Sequence, residues 1–305
     1  NYKDIHGVNI ETVTSNPDNP ANGQVWYNST DQKLRANAQT TAGAWASGGN
    51  LNSGRSQMGT TGIQTAALAT GGFPGPSGAA ITESYNGSSW TEVADLNTAR
   101  RILAQSGTYT AALAFGGGFP AKDETESWNG SSWTETADLN TAKSFIGGSG
   151  TQTAALAIGG PGTTANTESW DGSSWTEVGD LNTGRQVYST ANFTQTSSLV
   201  AGGSPPATGK TESWNGSAWT ETTDLNTARA HLGVTGADNT TALAFGGEPG
   251  SGTVALTESW NGSSWTEQGD LASARHYVGS AGTATAGLAI GGDGDLTTTE
   301  EFTEA

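Results

Sequence analysis

TESWNGSSWTE, residues 125–135, holds two short runs of strand-forming residues on either side of an Asn-Gly pair. Asn-Gly flanked by alternating aromatics reads as a β-hairpin, with Trp128 and Trp133 facing each other across a two-residue type I′ turn. The same eleven residues recur with small changes at 82–92, 167–177, 211–221 and 257–267. Upstream of each copy stands an LA-x-GG motif, whose glycine pairs begin at Gly71, Gly116, Gly159, Gly202, Gly246 and Gly291. Downstream stands DLNTAR or a close variant, so the whole unit has a period of roughly 44 residues. That period lies in the range of propeller blades.

SGTYTAALAFGG (residues 106–117) supplies two more strands per unit. The second is a run of small apolar residues, suited to a strand close to a narrow axis. Each unit is then a four-stranded blade. The aromatic opening the hairpin recurs as Tyr85, Trp128, Trp170, Trp214, Trp260 and Phe302, and its partner as Trp90, Trp133, Trp175, Trp219 and Trp265. The sixth partner is Trp45, in GAWASGGNLNSGR (residues 43–55). The expected fold is therefore an all-β, six-bladed β-propeller over residues 41–305. Its last blade takes three strands from residues 277–303 and the fourth from around Trp45, next to Phe302. Residues 1–40 lie outside the repeat and read as an adaptor segment, with a hairpin turning at Ser29–Asp31. The abrupt start without Met implies that sequence precedes Asn1.

Composition agrees. The chain of 305 residues has 45 Gly and only 33% hydrophobic residues, which suits short strands and tight turns. No apolar run is long enough to cross a membrane as a helix. Cysteine is absent, which removes disulfides, thiolate metal sites and a Cys nucleophile. A net charge of −17 argues against nucleic acid as a partner, because phosphates are repelled.

Two charged positions repeat six times: Glu83, Glu126, Glu168, Glu212, Glu258 and Glu300, and Arg55, Arg100, Lys143, Arg185, Arg229 and Arg275. A catalytic centre needs unlike groups converging on one point. These read instead as structural ion pairs stitching neighbouring blades. The Asp of each DLN turn is expected to bond its own backbone two residues on. No nucleophile elbow, phosphate loop or zinc motif is present, and His6, His231 and His276 lack metal-ligand spacing. The sequence thus predicts no catalytic residue, no metal and no cofactor. The alternating Asp293 and Asp295 offer too few oxygens for Ca²⁺.

The copies disagree mainly in the loops between second and third strands, all at one end of the blades. Loops that vary on a uniform scaffold are where recognition resides. The expected binding residues are Phe73, Phe119, Lys122, Asp123, Lys210, Glu248, Asp293 and Asp295.

Apolar residues before Gly-Gly, an aromatic, a later Trp and an Arg opening the next unit resemble kelch-type propellers, here with a shorter hairpin. SWDGSSW (Ser169–Trp175) looks like the Asp box of sialidase-type propellers, but no counterpart of that family's catalytic set accompanies it. NPANGQVWYNSTDQKLRA (Asn19–Ala36) and the AWASGGNLN style of repeat resemble structural proteins of tailed, particularly marine, phages. That resemblance implies a non-enzymatic virion protein, located on the particle surface. The propeller would be the head of a tail fibre or similar appendage that touches the host cell surface, with a glycan as one candidate contact. Residues 1–40 would attach to other virion proteins. A trimer is the usual fibre state, although no coiled-coil heptad accompanies it here. The alternatives are a capsid or tail decoration without specific ligand, a glycan hydrolase, and a cellular kelch interaction module.

Overall fold

The computed structural model describes residues 10–15, 25–36, 42–74, 78–188, 190 and 193–304. The chain divides into two compact units, residues 1–42 (with Ala305) and residues 43–304. In the first, β1 (Glu11–Val13) pairs in parallel with β2 (Val25–Asn28), which pairs antiparallel with β3 (Lys33–Ala36). The turn falls at residues 29–32, where Asn28 Oδ1 accepts from the amides of Thr30 and Asp31. The parallel strand β1 had no signal in the sequence. Residues 1–9, 16–24 and 37–40 of the expected adaptor lie outside the described residues.

The second unit opens with β4 (Ala44–Ser47) and continues as successive antiparallel sheets. Sheet 1 is β5 (Gly59–Ile63), β6 (Ala66–Thr70), β7 (Thr82–Tyr85) and β8 (Trp90–Val93). Sheet 2 is β9 (Ala104–Gly107), β10 (Ala112–Phe115), β11 (Thr125–Trp128) and β12 (Trp133–Glu135). Sheet 3 is β13 (Gly147–Gly150), β14 (Ala155–Ile158), β15 (Thr167–Trp170) and β16 (Trp175–Glu177). Sheet 4 has three strands, β17 (Ser198–Ala201), β18 (Thr211–Trp214) and β19 (Trp219–Glu221). Sheet 5 is β20 (Gly233–Asp238), β21 (Thr241–Phe245), β22 (Thr257–Trp260) and β23 (Trp265–Glu267). Sheet 6 is β24 (Gly279–Gly282), β25 (Gly287–Ile290), β26 (Thr299–Thr303) and β4, with Phe302 opposite Trp45. No helix occurs among the described residues, and the repeated sheets are compatible with propeller blades.

Each DLN turn works between two sheets. Asp95 Oδ1 accepts from the Thr82 amide of sheet 1, 3.2 Å away, so it caps that strand rather than its own turn. Leu96 enters the apolar cluster between sheets 1 and 2. Asn97 then donates its amide and side-chain Nδ2 to Glu126 of sheet 2, at 2.8 and 2.9 Å. Among the described residues, buried apolar side chains form six clusters, and each draws on two consecutive sheets. One of the six joins sheet 6 to sheet 1, through Leu288 and Ile290 against Ala67 and Tyr85.

The fourth-strand tryptophans follow the same cycle. Trp133, Trp175, Trp219 and Trp265 donate Nε1 to Thr82, Thr125, Thr167 and Thr211 of the preceding sheet, at 3.1–3.2 Å. Trp45 reaches Thr257 of sheet 5, and Trp90 reaches Thr299 of sheet 6. The Thr of every TES thus receives a neighbouring indole, which satisfies a polar group that burial would otherwise leave costly.

The hairpins differ from the expected type I′ turn. Tyr85 pairs with Trp90 and Trp128 with Trp133, so four residues connect the strands. Asn86 Oδ1 accepts from the amides of Ser88 and Ser89, and only Gly87 takes a positive φ, +89°. Type I′ needs two such residues, whereas an Asn side chain that mimics the backbone turn needs one. Asp171 makes the same bonds in sheet 3, and the serine donors hold its carboxyl down at about 2.

The repeated charges pair within one repeat. Arg100, which leads into β9, donates to Glu126 on β11 of the same sheet at 2.9 Å, with both side chains fully buried. Its NH1 also reaches the carbonyls of Gly116 and Glu124. Arg55–Glu83, Arg185–Glu212, Arg229–Glu258 and Arg275–Glu300 repeat the pairing. The stitch between sheets comes from the DLN asparagine on the same carboxylate. Burial pulls the guanidinium pKa of Arg55, Arg100, Arg229 and Arg275 downward, and the partner carboxylate opposes that shift.

Sheet 3 carries Lys143 instead. Its Nζ lies 2.9 Å from Glu168 Oε1 but outside hydrogen-bond geometry, and no carbonyl receives it. Lys143→Arg is expected to raise stability by about 0.5–1.5 kcal/mol, since the fork can reach the carbonyls of Gly159 and Asn166. Urea unfolding followed by tryptophan fluorescence checks this; an unchanged or lower midpoint would contradict the role given to the carbonyl bonds.

Candidate functional site

Three residues follow the repeated cation of each repeat, ahead of the first strand in sheets 1, 2, 3, 5 and 6. The second of these is Gln57, Ile102, Phe145, Val187, His231 or Tyr277. Five of the six hold φ between +51° and +60°. For a β-branched residue such as Ile102 this region costs on the order of 1–3 kcal/mol and persists only where the surroundings impose it. Backbone bonds between sheets impose it here: Ile102 N donates to Gln57 O, Phe145 N to Ile102 O, Val187 N to Phe145 O, Tyr277 N to His231 O, and Gln57 N to Tyr277 O, at 2.8–3.3 Å.

The variable loops leave from the same end. Ser56 exchanges backbone bonds with Phe73, Ala230 with Glu248, and the Asp293 amide bonds His276 O. Two groups of side chains collect there. In one, the Arg101 guanidinium lies 5.3 Å from the Phe73 ring centroid and 5.9 Å from that of Phe119. Phe119 is 64% exposed, the most open aromatic of the second unit.

In the other group, Glu248 Oε1 lies 2.8 Å from His231 Nδ1. The second Glu248 oxygen and Asp293 Oδ2 stand 4.0 and 3.8 Å from His276 Nε2. His276 Nδ1 meets Thr253 Oγ1 at 3.1 Å. The Tyr277 ring packs against His231, His276 and Tyr188, with centroids 4.2, 4.7 and 5.1 Å apart. Burial pushes the Tyr277 and Tyr188 phenols up; Asp293 adds to this and Arg101 opposes it in both. Burial lowers the His231 pKa, and Glu248 pulls against that shift.

Of the residues singled out in the sequence, the structure brings Phe73, Phe119, Glu248 and Asp293 into these groups. Lys122 pairs locally with Glu124 at 2.8 Å, and Asp123 is exposed beside it. Lys210 pairs with Glu221 on β19. Asp295 takes φ +54° and its backbone carbonyl packs against Gly54. Arg101, Tyr188, His231, His276 and Tyr277 were not anticipated as site residues. Their signal was the disagreement among copies just after an unvarying cation, a place the hairpin pattern drew attention away from.

At the opposite end of the same strands, the first turns line an open cavity of about 710 Å³, with glycine, alanine and threonine joined by Ile63, Tyr109, Phe193 and Gln195. No charged residue lines it. Among the described residues no group of three or more His, Cys, Asp or Glu is arranged to hold a metal ion. No protein-family model matches this chain, and no curated protein matches it in sequence.

Proposed function

We propose that the six sheets are blades of a closed, kelch-like six-bladed β-propeller, and that the loop end is a glycan-binding face. Closure is supported by a count: six sheets carry six apolar junctions and six Trp-to-Thr bonds, where an open stack has five. The glycan reading rests on one observation. The exposed Phe119 shelf, with Phe73 and Arg101, shares its end with Glu248, Asp293 and two imidazoles. An aromatic face takes the C–H side of a sugar ring, and carboxylates and imidazoles take its hydroxyls. Together with the phage-like segment, this makes the protein a non-enzymatic virion component, the head of a tail fibre or similar appendage. Residues 1–40 hold it to other virion proteins, and the loop end contacts a glycan of the host surface.

The whole chain on an array of bacterial surface oligosaccharides tests this. Binding is expected, and Phe119→Ala should weaken it at least tenfold while leaving the melting temperature unchanged. An array without any bound glycan would end the reading. A second reading is favoured by the approach of Glu248 and Asp293 to one imidazole nitrogen: hydrolysis of the bound glycan, for which two carboxylates about 5–9 Å apart are required. Chain shortening of the oligosaccharide over time, abolished by Glu248→Gln, would replace binding with hydrolysis.

A further inference from the structure

The chain has 12 Lys and Arg, and nine of them lie in residues 43–304. Six are the repeated cations, each against its own buried glutamate. Lys122 and Lys210 pair with Glu124 and Glu221. The ninth is Arg101, and among the described residues it has no carboxylate partner and no side-chain hydrogen bond. In a chain with net charge −17, acidic side chains are abundant, so a guanidinium without one is an exception. Its Nε is buried and unpartnered, while its flat face meets the rings of Phe73 and Phe119. Cation–π contacts hold the fork in place without using its N–H donors. The repeat does not require a cation here: the other copies have Ser56, Ser144, Gln186, Ala230 and His276.

In the cluster around Tyr277, two further buried polar atoms lack partners, Tyr188 Oη and His231 Nε2. Both residues are over nine-tenths buried and pack in the cluster around Tyr277. The end therefore holds one preoriented guanidinium, spare buried polar groups, and the carboxylates of Glu248 and Asp293.

Resting on the glycan reading of this face, we infer that Arg101 receives an anionic oxygen group of an acidic sugar, a carboxylate or a sulfate. The fork takes either group through two parallel N–H bonds, and the sugar ring lies over Phe119. Glu248 and Asp293 oppose a second negative charge nearby. The ligand is thus a saccharide with isolated charges among neutral hydroxyls, not a densely charged polymer.

The test uses matched oligosaccharide pairs: uronic-acid chains with their carboxyl-reduced forms, and sulfated chains with their desulfated forms. The whole chain should prefer the charged member of one pair at least tenfold, and the pair concerned names the group. Arg101→Gln should erase that preference, so that the charged and neutral members bind alike, and Arg101→Lys should restore part of it. Melting temperatures of both variants should stay close to the parent, because Arg101 bonds through its backbone carbonyl, which accepts from Gly118 N, and not through its side chain. Equal binding of charged and neutral members, or a preference that survives Arg101→Gln, would overturn the inference and leave the glycan reading standing. Failure to bind any member would overturn both.

Discussion

Glu126→Ala is expected to lower stability by about 3–5 kcal/mol, the range for removing one partner of a buried ion pair. Glu126 accepts from Asn97 N, Asn97 Nδ2, Thr98 N and Arg100, so one truncation removes the acceptor of four hydrogen bonds. Arg100 is left as a buried cation, already destabilised by desolvation and relieved chiefly by this carboxylate. The Asn97 bonds also join sheet 1 to sheet 2, so the loss extends across a sheet junction. Glu221→Ala is the control: its lysine partner is 35% exposed, and exposed pairs contribute about 0–1 kcal/mol. Urea unfolding of both variants should separate them by several kcal/mol. Similar losses would mean that the buried pairs are not what fixes the repeat.

Ending the chain at Thr298 is expected to remove the cooperative transition altogether. Residues 299–303 form β26, which pairs β25 on one side and β4 on the other. Their loss takes Phe302 from the cluster between sheets 5 and 6, leaves Trp90 without Thr299 Oγ1, and frees Gln64 from Phe302 O. Two sheet junctions are weakened and two strand edges are exposed. Unpaired edges recruit other chains, so size exclusion should show oligomers or aggregate in place of a monomer. A monomer melting as sharply as the parent would show that sheet 6 does not depend on that strand.

The strand order and the pairing of Phe302 with Trp45 were legible because hairpin aromatics recur at fixed spacing and a missing partner can be counted. The ion pairs were legible as structural because both partners repeat six times. What the sequence concealed lies where local chemistry is ambiguous. Asn-Gly fits both a type I′ turn and the four-residue connection actually adopted, and only the register of Trp128 with Trp133 decides between them. The DLN Asp reads as a local turn cap, yet its carboxylate is within reach of a strand thirteen residues earlier, as with Asp95 and Thr82. At the loop end, Phe73, Phe119, Glu248 and Asp293 stood out as odd loop residues. Arg101, His231 and Tyr277 did not, because their positive-φ or adjacent placement depends on backbone bonds between sheets, which no single repeat contains.

The loop end is assembled only if the six sheets are closed by strands from distant parts of the chain. Ala46 and Glu301 are directly opposed across β4 and β26, and the chain has no cysteine to confuse the result. Opposed Cα atoms in an antiparallel pair are about 4.5–5.5 Å apart, within disulfide reach. Ala46→Cys with Glu301→Cys, oxidised at low protein concentration, should give a monomer with one internal bond in peptide mass maps. Its melting temperature should rise on oxidation, since closing a loop this long stabilises by up to about 5 kcal/mol in the chain-entropy model. Free thiols in the folded monomer, or bonds formed only between chains, would contradict the closed ring.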